Sequence, residues 1–202
     1  MSNFKLKTMK SNTIKLLALF FVTSLAFTSC SSDDDGDHDH DHEHEEANTL
    51  IYTLTNTTNS ADVVTLTFQD LDGEGGADGT YTVVGDLTAN ASYTGILQLL
   101  HEHEDGDIDD VGAEIAEDDA EDHEIFYINN AGITINTTDV DGNGNPLGFM
   151  STANTGSAGT GSITIAIIHE GKKPNDGTVA DALSEDGTTD IEVSFDVTVV
   201  DL

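Results

Sequence analysis

From Asn48 onward, short runs rich in Thr, Val and Ile recur between turns made of Gly, Asp and Asn. Apolar and polar residues alternate within these runs, which is the period of a β-strand with one buried face. Strands are predicted over residues 49–55, 63–68, 79–84, 92–100, 124–128, 132–137, 147–150, 162–168 and 190–200. Eight or nine short strands separated by turns predict an all-β fold, an antiparallel immunoglobulin-like β-sandwich.

One segment breaks the alternation. Residues 107–121 place Ile108, Val111 and Ile115 at helical spacing and have acidic residues at most other positions. This pattern predicts one short acidic helix, inserted between two strands and lying over an end or edge of the sandwich.

The first 29 residues have the layout of a secretory signal, with four lysines followed by an apolar run that is too short to span a bilayer. Residues 27–30, Phe-Thr-Ser-Cys, resemble a bacterial lipobox, which implies cleavage before Cys30 and lipidation of that cysteine. The alternative is an ordinary secreted protein. The predicted organisation is therefore a signal peptide (1–29), a lipidated, disordered tether (30–47) and a β-sandwich domain (48–202).

The charge balance limits the partners. From Cys30 onward, two lysines stand against 39 Asp and Glu, which gives a formal charge of −37, and the chain has no arginine. Nucleic acid is excluded as a partner because its phosphates could not be neutralised. Cys30 is the only cysteine, so an internal disulfide and cysteine-rich zinc sites are excluded as well.

The tether contains four histidines at alternate positions: His38, His40, His42 and His44. In an extended segment, alternate side chains project to the same side, so these imidazoles can converge on one ion. Imidazole suits Zn²⁺, Cu²⁺ and Ni²⁺, and the flanking acids increase the attraction for cations. The tether is therefore predicted to bind a transition metal, with a polar spacer as the alternative.

Four further histidines lie in the predicted domain, at His101, His103, His123 and His169, and each is followed by a glutamate. His101 ends one predicted strand, and His123 comes just before the next predicted strand after the helical segment. If those two strands are neighbours, His101, His103 and His123 lie at one pole. His169 can join them in a zinc or copper site if its strand runs parallel to the one that ends at His101. The alternative is a set of independent surface residues.

Residues 139–145 offer oxygen ligands at alternate positions, namely Asp139, Asp141, Asn143 and Asn145, as in a calcium-binding loop. The closing bidentate glutamate is missing, and Asp-Gly and Asn-Gly are also common hairpin turns, so an ordinary turn is favoured over a Ca²⁺ site. No nucleophile elbow, P-loop or HExxH motif is present, and the protein is not expected to be an enzyme.

Three strand and turn motifs resemble those of small Bacteroidota lipoproteins with a His/Asp-rich tail. They are the first strand (50–55), a FxDxDG turn (68–73) and a DIEVxFDV strand (190–197). Members of that group are sometimes labelled type 1 periplasmic-binding-fold proteins, a label that the scarcity of predicted helix argues against. Residues 31–35 resemble the acidic export signal of surface lipoproteins in the same phylum.

The resemblance implies a protein anchored in the outer membrane through lipid on Cys30. It also implies exposure on the cell surface (the periplasmic face is the alternative) and a TonB-dependent receptor as partner. The expected function is capture of a divalent metal, chiefly Zn²⁺, and its transfer to that receptor. The alternative is a structural or adhesive β-sandwich whose acidic tether is a non-binding spacer.

Overall fold

A computed structural model describes residues 47–73, 76–130 and 132–201. The predicted signal peptide, Cys30 and the four tether histidines lie outside the described residues, so those predictions remain as they stand. Within the described ranges, no helix is long and apolar enough to cross a lipid bilayer.

The described residues form eleven strands and two helices. The strands are β1 (Thr49–Asn56), β2 (Val63–Gln69), β3 (Thr80–Val84), β4 (Leu87–Thr88), β5 (Ser92–Glu102), β6 (Ile108–Asp109), β7 (His123–Asn129), β8 (Ile133–Thr137), β9 (Met150–Thr155), β10 (Gly159–His169) and β11 (Thr188–Val200). The helices are α1 (Val111–Asp118) and α2 (Val179–Ala182).

The strands form two sheets. One sheet has the order β3-β2-β1-β5-β9-β8, with β6 attached to β5, and the other has the order β4-β11-β10-β7. All pairs are antiparallel except the short parallel contact between β4 and β11. The all-β sandwich with a short helical insertion, predicted from the alternation of apolar residues, is confirmed.

The core lies between the two sheets and is built from the alternating apolar positions. On β11, Val193, Phe195, Val197 and Val199 are buried, in agreement with the alternation of apolar and polar residues, whereas Ile191 is half-buried. The facing sheet contributes Leu50, Tyr52 and Leu54 from β1, Val64 and Leu66 from β2, and Leu97 and Leu99 from β5. Their removal from water is the main stabilising contribution to the sandwich.

The predicted helix is shorter than expected. Ile108 belongs to β6 and is exposed, so only Val111 and Ile115 of the predicted apolar face are buried. The helix begins after Asp110, whose carboxylate accepts a hydrogen bond from the N–H of Ala113 at 3.0 Å. This N-cap fixes the start of α1 three residues later than the spacing of apolar residues suggested.

The strand predicted at 147–150 is also displaced, because β9 begins only at Met150. Gly148 has a φ of +109°, which interrupts the extended backbone. A side chain there is excluded as well, since a Cβ would lie 2.8 Å from the carbonyl oxygen of Ile125. Leu147 and Phe149 are buried as loop residues on either side of this glycine.

The inner face of the larger sheet holds a buried polar contact that depends on a glycine. The hydroxyls of Tyr52 and Ser151 are hydrogen-bonded at 2.7 Å, and burial raises the pKa of Tyr52 to about 12. A Cβ at Gly95 would lie 2.3 Å from the Ser151 Oγ and 2.4 Å from the Tyr52 oxygen. Only glycine therefore fits at this position of β5.

Replacing Gly95 with alanine is expected to lower the free energy of unfolding by about 1–3 kcal/mol, since the added methyl group overpacks the core. Urea denaturation measures the change. Gly159→Ala is the control, because the nearest atom to a Cβ at that strand position is 4.0 Å away. If the two substitutions lower the free energy of unfolding equally, steric crowding at Gly95 is not the cause of the loss.

Candidate metal centre

Two of the four domain histidines meet where β7 and β10 pair. In the antiparallel register, His123 lies opposite His169, at the start of β7 and the end of β10. Cross-strand partners project to the same side of a sheet, so both imidazoles continue the row of core side chains formed by Ile125 and Ile167. Their rings are stacked, with centroids 4.6 Å apart and an interplanar angle of 10°.

A β-bulge brings a carboxylate to this pair. Ile167 pairs with Ile191 of β11, but the next residue, Ile168, pairs with Thr189, so Asp190 is an extra residue in β11. Under strict alternation Asp190 would face away from the core, on the side opposite Ile191. The bulge removes that constraint and lets the side chain turn toward the histidines, a common use of bulges beside functional sites.

The resulting group can hold a metal ion. One ligand atom from each of His123, His169 and Asp190 can be chosen so that all lie within 4.8 Å of one another. The Nε2 atom of His123 is 3.6 Å from the Oδ2 atom of Asp190. Tetrahedral zinc with nitrogen and oxygen ligands requires ligand atoms about 3.3 Å apart, so the widest spacing in the group has to contract by up to about 1.5 Å on binding.

The buried histidine is oriented by the end of the helical insertion. His123 is 3% exposed, and its Nδ1 atom lies 3.0 Å from the carbonyl oxygen of Asp119, the residue that follows α1. An Nδ1–H that donates to this carbonyl leaves the lone pair on Nε2, the nitrogen beside Asp190. Histidines that bind metals are commonly held in this way by a carbonyl or carboxylate.

The centre is open on one side. The His123 side chain is 4% exposed, whereas that of Asp190 is 38% exposed, and His169 is half-buried. Asp190 also lines a cleft of about 550 Å³ between the two sheets. Three protein ligands with an accessible side suit an ion that keeps an exchangeable fourth ligand, unlike the closed four-ligand sites that zinc occupies for structural purposes.

Lys173 holds the backbone at His123 in place. Its ammonium group donates to the carbonyl oxygens of His123 and Ala120, and it lies 3.1 Å from the Oδ2 atom of Asp141. The Lys173 side chain is 8% exposed and that of Asp141 is fully buried. This ion pair joins the first residue of β7 to the loop between β8 and β9, which stabilises the position of His123.

The loop at residues 139–145, for which the sequence favours an ordinary turn over a Ca²⁺ site, is built around the same carboxylate. Asp141 accepts hydrogen bonds from the backbone N–H groups of Asn143 and Asn145 at 2.9 and 2.8 Å, while Asp139 accepts one from Gly148. The cation at this carboxylate is the Lys173 ammonium group. These contacts favour the ordinary turn over a Ca²⁺ site, because the Asp141 oxygens are engaged within the protein.

A second carboxylate, Glu124, follows His123 on β7 and is 6% exposed. Burial raises the pKa of its carboxyl, although the Asn175 amide, which donates to it at 2.6 Å, and Lys173 act in the opposite direction. Alternation in β7 places Glu124 on the face of the sheet opposite the metal centre. Its role is therefore to anchor the segment around Asn175.

His101 and His103 are not part of this group. The condition for a site shared with His123, that the strand ending at His101 and the one following His123 are neighbours, is not met, because β5 and β7 belong to different sheets. Instead, His101 pairs with Asp109 of β6, and the Nε2 atom of His103 lies 2.6 Å from the Asp109 carboxylate. The two rings, 4.6 Å apart, line the same cleft as Asp190.

Sequence reasoning therefore identified two of the three residues in the centre and missed Asp190. The alternation of β11 assigned Asp190 to the outer face, and no pattern in the sequence marks the bulge. Two signals were present, namely an acid at the start of a long apolar strand and the His-Glu pairs at 123–124 and 169–170. No protein-family model, curated protein or solved structure matches this chain.

Proposed function

We propose that this protein binds a divalent transition metal, chiefly Zn²⁺, at His123, His169 and Asp190. The observation that carries the proposal is the convergence of two imidazoles and one carboxylate at a place where the strand register has to shift to bring the carboxylate in. Two nitrogens and one oxygen suit zinc, with Cu²⁺ and Ni²⁺ as further candidates.

The wider role follows from combining this centre with the sequence. A lipid on Cys30 anchors the protein at the outer-membrane surface, and His38, His40, His42 and His44 of the tether capture ions from dilute solution. The domain centre then holds one ion with an exchangeable position and releases it to an uptake receptor of the TonB-dependent class. The acidic composition favours this role, because 39 carboxylates raise the local concentration of cations.

Zinc titration of two metal-free proteins tests the proposal: residues 31–202, and residues 47–202 without the tether. The shorter protein is expected to bind one Zn²⁺ per chain through the domain centre. The longer one is expected to bind additional zinc with micromolar affinity, because the four tether histidines add imidazole ligands. Calorimetry and metal analysis after dialysis give the two stoichiometries.

The outcomes separate this role from the structural or adhesive alternative. If neither protein retains zinc, copper or nickel, the proposal fails and the acidic tether is a spacer. If only the longer protein binds, the domain centre is refuted while the tether remains a metal-binding segment. In cells, deletion of the protein is expected to slow growth under zinc limitation and to have no effect when zinc is abundant.

A further inference from the structure

β11 has an open sheet edge over the part of its length that lines the cleft. Apart from β10, its partner in the described ranges is β4, a two-residue strand that pairs only with Val199 and Val200. No strand of the described residues pairs with the side of residues 191–198 that faces away from β10. Backbone N–H and C=O groups along such an edge are the groups that accept an added strand.

This edge borders the cleft of about 550 Å³, which includes Ile191, Glu192 and Val193 of β11. The opposite wall carries Tyr81 of β3, the outermost strand of the other sheet. Tyr81 is 54% exposed, and its ring centroid lies 5.0 Å from that of Phe68 and 5.8 Å from that of Phe195. The cleft therefore combines an open backbone edge with an exposed aromatic face.

The charge of the cleft restricts what can enter it. Six carboxylates and no lysine line it: Asp70, Asp72, Glu102, Glu104, Asp190 and Glu192. The two lysines of the described residues are both engaged elsewhere, Lys172 with Asp181 and Lys173 with Asp141. Acids along an edge repel a second copy of this acidic chain, which is how proteins commonly prevent self-pairing. The same charges attract a cationic strand.

We propose that the cleft binds an extended, lysine- or arginine-bearing peptide segment of a partner protein as an added strand on β11. Main-chain hydrogen bonds to residues 190–193, the part of β11 that lines the cleft, supply affinity. Glu192 pairs with a basic side chain, and the Tyr81 ring offers a cation–π contact. This peptide site goes beyond metal binding and does not depend on it. Because Asp190 also belongs to the metal centre, a bound peptide lies beside the ion.

Binding of three labelled eight-residue peptides to residues 31–202, measured by fluorescence anisotropy with EDTA present, tests the site. The peptides alternate lysine with threonine, lysine with proline, and glutamate with threonine. The Lys-Thr peptide is expected to bind at least tenfold more tightly than the Lys-Pro peptide, which has the same charge but lacks the N–H groups of every proline. The Glu-Thr peptide is expected not to bind.

Two charge reversals on the same strand localise the contact. Glu192→Lys is expected to weaken binding of the Lys-Thr peptide roughly tenfold, since an attractive cross-strand pair becomes repulsive. Asp196→Lys makes the same change in net charge outside the cleft and is expected to change binding less than about twofold. The tether is identical in both variants, so its attraction for the peptide cancels in the comparison.

Amide hydrogen exchange identifies the edge itself, with slower exchange expected in residues 190–193 when the Lys-Thr peptide is bound. If the Lys-Pro and Lys-Thr peptides bind equally, or if the two charge reversals have equal effects, attraction to the acidic surface explains the binding and the strand site is overturned. Protection confined to β3 would overturn the assignment to β11. If Glu192→Lys does not fold, Tyr81→Ser gives the same comparison through loss of the cation–π contact.

Discussion

Replacing Lys173 with methionine is expected to lower the free energy of unfolding by about 3–5 kcal/mol, the usual effect of removing one partner from a buried ion pair. The Asp141 carboxylate is fully buried and would keep its charge without the ammonium group 3.1 Å away. The carbonyl oxygens of Ala120 and His123 would also lose their donor. Urea denaturation of the metal-free protein at pH 7 measures the loss.

The neighbouring lysine provides the control. Lys172 donates to the carboxylate of Asp181 at 2.9 and 3.1 Å, but both side chains are partly exposed and water replaces the lost partner. Lys172→Met is therefore expected to shift the urea midpoint far less than Lys173→Met. If the two variants shift the urea midpoint equally, burial of the ion pair between Lys173 and Asp141 is not the cause of the larger predicted loss.

The pH dependence of the same variant tests the electrostatic explanation. Burial raises the pKa of Asp141, but the N–H of Asn145 and the Lys173 ammonium group outweigh it, so the pKa lies below its usual value. The contribution to stability is therefore complete above about pH 4 and is lost as the pH falls through the lowered folded-state pKa. In Lys173→Met, the carboxyl is protonated at a higher pH.

The difference in stability between the wild-type protein and Lys173→Met is therefore expected to narrow as the pH falls from 7 toward 3. Neutralising Asp141 removes the buried charge in the variant, while the wild-type protein loses its favourable pair. A difference that stays constant over this range would mean that lost packing of the lysine side chain, and not an unpaired charge, causes the destabilisation.

The sandwich could be predicted because its information is local. On β11 the alternation of apolar residues from Val193 to Val199 predicts which face of the strand is buried. Burial of apolar side chains is the dominant force in folding. The helical spacing of Val111 and Ile115 also located the helical insertion. Its true start depends on the Asp110 cap, and apolar spacing does not encode that cap.

The candidate metal centre could be predicted only in part, because its residues come together through contacts between distant parts of the chain. His123 and His169 meet through the register of β7 on β10, and strand order cannot be read from one sequence. Asp190 reaches them through a bulge, which breaks the period of two on which the reading of strands depends. The cation beside Asp141 came from Lys173, 32 residues away along the chain.

Replacing His123 with alanine is expected to weaken zinc binding by residues 47–202 by more than about 100-fold, because loss of a supporting group alone costs about 10–100-fold and this residue is a proposed ligand. Among the three ligands His123 is the most buried, and the Asp119 carbonyl fixes its orientation before an ion arrives. Its loss therefore removes the imidazole that has to move least when an ion binds. Competition with a zinc-binding dye measures the affinity.

The double variant His101→Ala/His103→Ala is the matched control, because those imidazoles lie on β5 and just beyond it, outside the group of His123, His169 and Asp190. It is expected to change the zinc affinity less than about threefold. Thermal denaturation supplies a second readout, since an ion at 100 times its Kd stabilises the folded protein by about 2.7 kcal/mol. This stabilisation by zinc is expected to persist in the double variant and to vanish in His123→Ala. If it instead vanishes in the double variant and persists in His123→Ala, the ion binds at His101 and His103.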